Sequence, residues 1–393
     1  MRRTNLLAAL LIAPLFLLVT ASFLVPVALT LFTAIADREV ADALPRTSAL
    51  LRAWDGKDLP SEAVYAAAAR EIAAAVEDRR VGGLSQRLNF ERTGFRSLLL
   101  RTARGFEAMQ APFKPAMIAL DPRWAEGELW HLIKRSGGPL TPLYLLRSVD
   151  LTLTPQGAVM AVDPDEAVFR TLFARTLGVS LLVTGLCVVL AYPVAYALAR
   201  LPPGWANIGL VFVLIPFWSS VLVRTTAWFV LLQREGPVNA GLLALGMADH
   251  PLQLVGTRFA VVIAMVPVLL PFAILPAYSV LKRLDPTYLK AAAALGAPPF
   301  KAFLRVTLPL SAPGIMAGAF IVFMLAVGFY VTPALVGGPK DQLVASFVAF
   351  FMNQGANWGM AAALAAILLA MTAAVIATAR LLVPGFRTTG VKI

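Results

Sequence analysis

Apolar residues run through this chain in six blocks, at 6–35, 171–199, 207–232, 259–281, 313–332 and 359–383. None of the six contains an Asp or Glu. Crossing about 30 Å of hydrocarbon takes about 20 residues of helix. Lipid offers the backbone no hydrogen-bond partners, so each block is predicted to be helical throughout. The first block follows Arg2 and Arg3, as a signal peptide would. Its apolar run is about twice the length of an ordinary signal core, which favours a retained anchor.

Between the first two blocks the pattern changes. From 62 to 76 the apolar positions Val64, Ala68, Ile72 and Val76 recur at helical spacing after Pro60-Ser61. This helix should end before Gly82-Gly83. A second helix is expected over 91–109 and a third over 124–135. The stretch 143–153 is rich in Leu, Val and Thr, and Pro155-Gln156-Gly157 is a turn signal, so a hairpin with 158–162 is expected. The expected fold is therefore an all-α membrane protein of six transmembrane helices with a small α+β insert. Its parts are a first span over 1–36, an insert over 37–170, a five-helix core over 171–383 carrying an inner loop at 283–309, and a tail over 384–393.

Composition sharpens this picture. Of 393 residues 59% are hydrophobic and 14% charged, against about 25% charged in ordinary soluble domains. The net charge of +12 is not spread evenly. Positions 37–170 hold 18 basic and 18 acidic residues, and the remainder 16 basic and 4 acidic. The excess thus flanks the apolar blocks, where a nucleic-acid binder would carry it as a patch on a soluble domain. No nucleic-acid partner is expected. Placing the N-terminus inside puts Arg2, Arg3, Arg200, Lys282, Arg283, Lys290, Lys301, Arg305, Arg380, Arg387 and Lys392 on the cytoplasmic side, against the single acid Asp285. Both termini are then cytoplasmic, in a cell inner membrane, and the insert extracytoplasmic.

Chemistry-bearing motifs are few. His131 and His250 stand apart and Cys187 is the only cysteine, so no metal-ligand cluster and no intrachain disulfide are expected. No Gly-x-x-x-x-Gly-Lys-Ser/Thr loop is present to grip nucleotide phosphates. The chain is not expected to be an enzyme by itself, nor to carry a cofactor.

The loop after the fourth block is the informative segment. Ala-rich 287–295 reads as a short helix, and Gly296 as its left-handed terminator. Pro298 or Pro299 starts a second short helix, with Phe300, Phe303 and Leu304 on one face and Lys301 and Arg305 on another. Pro309 should stop it. The result is a knob suited to a partner's groove, or an amphipathic loop resting on headgroups.

Lys290-Ala291-Ala292, then Gly296-Ala297, then Val306-x-Leu308-Pro309, resembles the EAA motif of ATP-binding-cassette importer permeases. Lys290 stands where that motif has Glu, and Val306 where it has Ile. The resemblance implies the type I importer permease fold. It further implies that Lys290, Ala291, Ala292, Gly296, Ala297, Phe300, Phe303, Val306, Leu308 and Pro309 couple the chain to an ATPase. Pro216-Phe-Trp-Ser-Ser-Val-Leu-Val-Arg224-Thr-Thr-Ala-Trp228, Gly236-Pro-Val-Asn239, Tyr192-Pro193-Val-Ala-Tyr196 and Gly328-Phe-Tyr330-Val-Thr-Pro333 are similar to permeases of the spermidine/putrescine type. Relatives that handle opines, phosphonates or other organic ions share them. The partners so implied are a second, non-identical permease, two ATP-binding-cassette ATPase subunits that bind the ATP, an extracytoplasmic solute-binding protein and a small-molecule solute.

Along the path, a buried charge such as Arg224 costs at least about 2.5 kcal/mol, so it should face protein or water. It is either a gate residue or a packing arginine. With no carboxylate in any block, a cation would meet aromatic faces, for which Trp218, Trp228 and Tyr330 are candidates. A Trp near a membrane end also serves as an interface anchor. Gly314 and Gly318 form a face for close helix approach, expected to be internal. Two functions of other classes compete. A membrane sensor needs a cytoplasmic output domain, and the tail after Val383 is short for one. An ion-coupled transporter usually shows membrane carboxylates.

Overall fold

The computed structural model describes residues 2–382; the expected tail at 384–393 lies outside them. The first membrane-length helix, α1 (Leu11–Thr33), is apolar throughout. A π-turn at Thr20–Leu24 precedes Pro26, the residue that cannot donate to the helix ladder.

The segment after α1 is nearly all helix. Its main elements are α2 (Glu62–Glu77), α3 (Val81–Asn89), α4 (Phe95–Gly105) and α5 (Gly127–Ser136). Val64, Ala68 and Ile72 are buried along α2 as the spacing requires. The core centres on Tyr65, Trp124 and Trp130, all fully buried. Each finds a partner for its polar tip. The Tyr65 hydroxyl donates to the Trp124 carbonyl at 2.6 Å, and Trp130 Nε1 donates to the same oxygen at 3.0 Å. Trp124 Nε1 donates to Thr102 Oγ1 at 2.9 Å. Left unpaired, each such buried polar atom would offset about 1–3 kcal/mol of what burying its ring contributes.

α2 ends at Glu77, before Gly82-Gly83 as expected; Arg79 is left-handed at φ 58° and the two glycines lie inside α3. Three other expectations for this segment change. The helix expected over 91–109 is interrupted before α4, because Gly94 takes φ 98° and Asn89 Oδ1 accepts from the Phe95 amide at 2.8 Å. The helix expected over 124–135 is a 3₁₀ turn at Pro122–Ala125 followed by α5. Strand is confined to one hairpin, β1 (Leu151–Leu153) against β2 (Val159–Ala161), with Leu151 opposite Ala161 and Gly157 at φ 93° in the turn. Residues Leu143–Arg147 are helical instead, started by Thr141, whose hydroxyl accepts from the Leu143 amide at 3.2 Å.

The remaining helices are α6 (Phe169–Arg200), α7 (Pro203–Leu214), α8 (Val221–Leu232), α9 (Arg258–Arg283), α10 (Thr287–Ala294), α11 (Pro299–Val327), α12 (Val344–Asn353) and α13 (Trp358–Leu382). With α1, the helices α6, α9, α11 and α13 are long and apolar enough to cross a membrane. The third apolar block is not one helix. It bends by 93° between Pro203–Trp218 and Val221–Ala244. Pro216 removes a donor, Ser219 is extended, and Ser220 Oγ accepts from the Leu222 amide at 3.2 Å to start α8 afresh. The fifth span also shifts: α11 ends at Val327, and Thr332 belongs to a separate short helix, Val331–Val336. Counting the bent pair as one span gives six crossings.

Contacts divide the described residues into two compact units, one of 2–170 with 350–367, the other of 171–349 with 368–382. In the second, α9 packs along α11 at closest range where Gly314 and Gly318 sit. A Cβ on Gly314 would lie 2.8 Å from the Pro276 carbonyl oxygen, and one on Gly318 2.9 Å from that of Ala273. The small-residue face is therefore internal packing. Val183, Cys187 and Ala191 of α6, Val261, Met265 and Leu269 of α9, and Val322 and Ala326 of α11 complete this core.

Candidate functional site: the loop between α9 and α11

The loop begins at Asp285, whose carboxylate accepts from the Thr287 amide at 2.8 Å and so holds the first turn of α10. The Thr287 side chain, and after it the Thr287 amide, keep the carboxyl below its ordinary range. The alanines of α10 carry the helix to Ala294. Gly296 then takes φ 79°, and the Ala297 amide donates back to the Ala292 carbonyl at 3.0 Å. This is a left-handed helix end, whose steric cost a side chain would raise. Pro298 is extended and Pro299 opens α11.

Here α11 departs from expectation. Pro309 does not stop it. A π-turn at Phe303–Thr307 widens the helix just ahead of Pro309, and the helix runs on to Val327. The aromatic pair that simple spacing places on one face meets two different surroundings. Phe303 packs against Tyr192 and Tyr196 of α6, with ring centroids 5.9 and 5.4 Å apart. Phe300 is 71% exposed, Leu295 88% and Tyr288 56%. Lys290, Ala291 and Gly296 are exposed too, Ala292, Ala297, Val306 and Leu308 half-buried, and Pro309 exposed. The residues singled out by the motif thus fall into two groups. Phe303, Val306 and Leu308 tie the loop down, while Lys290, Ala291, Gly296 and Phe300 present it.

The other candidates lie elsewhere. Trp218 is exposed at the break between α7 and α8, Trp228 is half-buried against the α9 core, and Tyr330 is about half exposed. Arg224 is half-buried, and its Nε is enclosed without a hydrogen-bond partner. None of these four lines the cavity beside the loop. Next to Arg224, the buried Thr225 and Thr332 hydroxyls bond each other at 3.0 Å. Asn239 staples its own loop, donating to the Gln233 and Leu252 carbonyls at 3.0 Å and accepting from the Leu252 amide at 2.9 Å.

Nothing in the pattern singles out three further residues. Asp150 accepts from the Phe169 and Arg170 amides at 2.9 and 2.7 Å, fixing the start of α6. Arg175, inside α6, donates to the Gln342 carbonyl at 3.2 Å. Thr307 is buried with its hydroxyl unpaired. Their sole signal is a polar residue inside or beside an apolar run. Among the described residues, no group of His, Cys, Asp and Glu could hold a metal.

Residues 178–388 match the model of a family described as "binding-protein-dependent transport system inner membrane component". The spermidine/putrescine transport system permease protein PotB of Escherichia coli (strain K12) is 34% identical over 215 residues, which are 55% of this chain and 77% of that one. Its counterpart in Haemophilus influenzae is 36% identical over 194 residues, 48% of this chain and 68% of the relative. A crystal structure of a bacterial ABC transporter that imports the acidic polysaccharide alginate is similar at a TM-score of 0.45 and 19% identity, covering 56% of this chain and 83% of that one. The left-handed glycine knob between α9 and α11 lies within the matched residues. The chain belongs to the family of binding-protein-dependent transport system inner membrane components, as a multi-pass permease subunit of an ATP-binding-cassette importer.

Proposed function

We propose that this permease forms half of the pathway for a polyamine-like cation, and that ATP hydrolysis by separate subunits reaches it through 287–309. The observation that carries the coupling assignment is Gly296 at φ 79°, which turns α10 into α11 and leaves Leu295 and Phe300 exposed together. Exposed apolar side chains on a rigid knob suit a partner's groove. Lys290 then contributes a positive charge to that contact. The full complex on this reading holds a second, non-identical permease, two ATPase subunits and an extracytoplasmic solute-binding protein. Both termini are cytoplasmic, and 37–170 is an outer domain.

The substrate class rests on the similarity to the two spermidine/putrescine permeases. A polyamine would meet Trp218, Trp228 and Tyr330 as cation–π surfaces rather than carboxylates. One observation favours a second class, an organic anion: Arg224 keeps an enclosed Nε with no partner. Proteoliposomes holding the chain with the ATPase, second permease and binding protein encoded beside it decide between them. ATP-dependent uptake of radiolabelled spermidine, unaffected by excess phosphonate, is the expected result. Competition by the phosphonate alone would move the assignment to the anion.

A further inference from the structure

Beside the coupling loop, the ends of α6 and α9 and the start of α11 enclose a cavity of about 420 Å³. Arg200 and Lys282 line it, and neither has an ion-pair partner among the described residues. The Arg200 guanidinium stacks over the Tyr196 ring at 4.0 Å, which fixes the plane of its donors. Thr307 lines the cavity as well. It is only 4% exposed, yet its Oγ has no hydrogen-bond partner, an arrangement that is costly unless something in the cavity accepts from it. The one acid at the rim, Asp285, already accepts from the Thr287 amide. Apart from Tyr288 the remaining wall is apolar and mostly aliphatic, including Leu284 and Leu289.

From this cavity we infer a binding site for an anionic phospholipid, its phosphate held by Arg200, Lys282 and the Thr307 hydroxyl. Two cations against one engaged carboxylate leave a single positive charge, which matches a phosphodiester monoanion. Guanidinium and hydroxyl donors suit phosphate oxygens. The cavity lies where two apolar helices reach their basic ends, at the depth of lipid headgroups. A soluble anion would satisfy the polar side but leave the leucines facing water. A lipid covers both, its glycerol and first methylenes lying on Leu284 and Leu289. Because Leu289 and Thr307 belong to the coupling segment, the lipid would brace the knob from behind. The site itself does not depend on the coupling reading.

The test uses the purified full-length chain, stripped with dioleoylphosphatidylcholine and titrated with dioleoylphosphatidylglycerol, read by native mass spectrometry and thermal melting. One tightly retained phosphatidylglycerol and a raised melting temperature are expected. Arg200→Gln and Thr307→Val should each weaken retention roughly tenfold, the effect of losing one charge-assisted contact. Thr307→Ser, which keeps the hydroxyl, should restore it and shows that the fold survives at this position. Arg283→Gln, an exposed cation outside the cavity, should leave retention unchanged. Equal retention by wild type and the Arg200 and Thr307 variants would overturn the site. So would an equal loss in Arg283→Gln, which would mean diffuse charge attraction. Displacement of the lipid by millimolar inorganic phosphate, with the same stabilisation, would assign the cavity to a soluble anion instead.

Discussion

Three local signals agree at Gly296. An alanine run, a glycine and two prolines in succession specify a helix, a left-handed stop and a restart. Its surroundings are open, with no atom within 4 Å of where a Cβ would sit, so only the backbone constrains it. Gly296→Val should therefore cost roughly 1–2 kcal/mol through backbone strain alone. That strain should misdirect the start of α11. Normal membrane insertion with lost transport-coupled ATP hydrolysis is the expected phenotype, and Gly296→Asn should be milder, since Asn tolerates this conformation. Phe303 was not legible in the same way. Spacing sets it beside Phe300, and only the packing of α6 against the loop shows that Phe303 meets Tyr192 and Tyr196 while Phe300 stays exposed. Lys290 is exposed on α10 and carries the charge opposite to the motif's Glu. If the ATPase groove has adapted to it, Lys290→Glu will leave coupling unchanged or weaken it. A clear gain in transport rate would mean the lysine is a defect.

At the scale of elements, periodicity located the apolar helices but not their breaks or their caps. The third block reads as one span because Pro216 and Ser219-Ser220 leave the hydropathy unbroken, although together they bend the chain by 93°. Caps supplied across long sequence separations are equally invisible. Glu71 accepts from the amides of Arg46 and Thr47, Glu62 from those of Phe113 and Lys114, and Asp150 from those opening α6. Each places a carboxylate on the free donors of a helix start. Asp150→Ala should lower stability by about 0.5–2 kcal/mol, read as a fall in melting temperature in detergent micelles. Gly314→Val and Gly318→Val should do more harm, because the added carbons meet backbone oxygens of α9 that cannot swing aside. About 1–3 kcal/mol is expected from such overpacking, by the same melt. Acid should act through Asp121. Its hydrogen bonds from Arg123, aided by the charges of Arg123 and Arg101 against the cost of burial, hold its carboxyl below the ordinary range. A depressed folded value gives stability that is present above the unfolded value near 4 and lost as pH falls through the lowered one. Comparing melts of wild type and Asp121→Asn from pH 7 downward isolates that loss. Their difference should shrink only below about pH 4.

At the scale of the whole molecule, charge and hydropathy separated a neutral 134-position stretch, 37–170, from a basic membrane part. They also predicted an ordered insert, and Trp124, Trp130 and Tyr65 form a buried centre there. Helices over 62–76, 91–109 and 124–135 were expected for it; the breaks at Gly94 and at Pro122–Ala125 were not, because a left-handed glycine and a 3₁₀ turn leave the apolar spacing unchanged. Residues 37–170 lie outside the family match at 178–388, so their role stands apart from that of the shared core. On the proposed orientation they face the solute-binding protein. Replacing 40–164 by a short Gly/Ser linker should weaken binding-protein affinity in an otherwise assembled complex. Balanced charge implies that docking is only moderately salt-sensitive. Unchanged affinity would leave a stabilising cap as their role. The central claim is that the knob at 287–309 meets the ATPase, and contact capture tests it most directly. A photo-crosslinking residue at Leu295, exposed at the tip, should capture the ATPase subunit in an actively transporting complex. The same residue at Met247, exposed in the loop that precedes α9, should not. No ATPase adduct at Leu295, or capture at Met247 instead, would contradict the assignment.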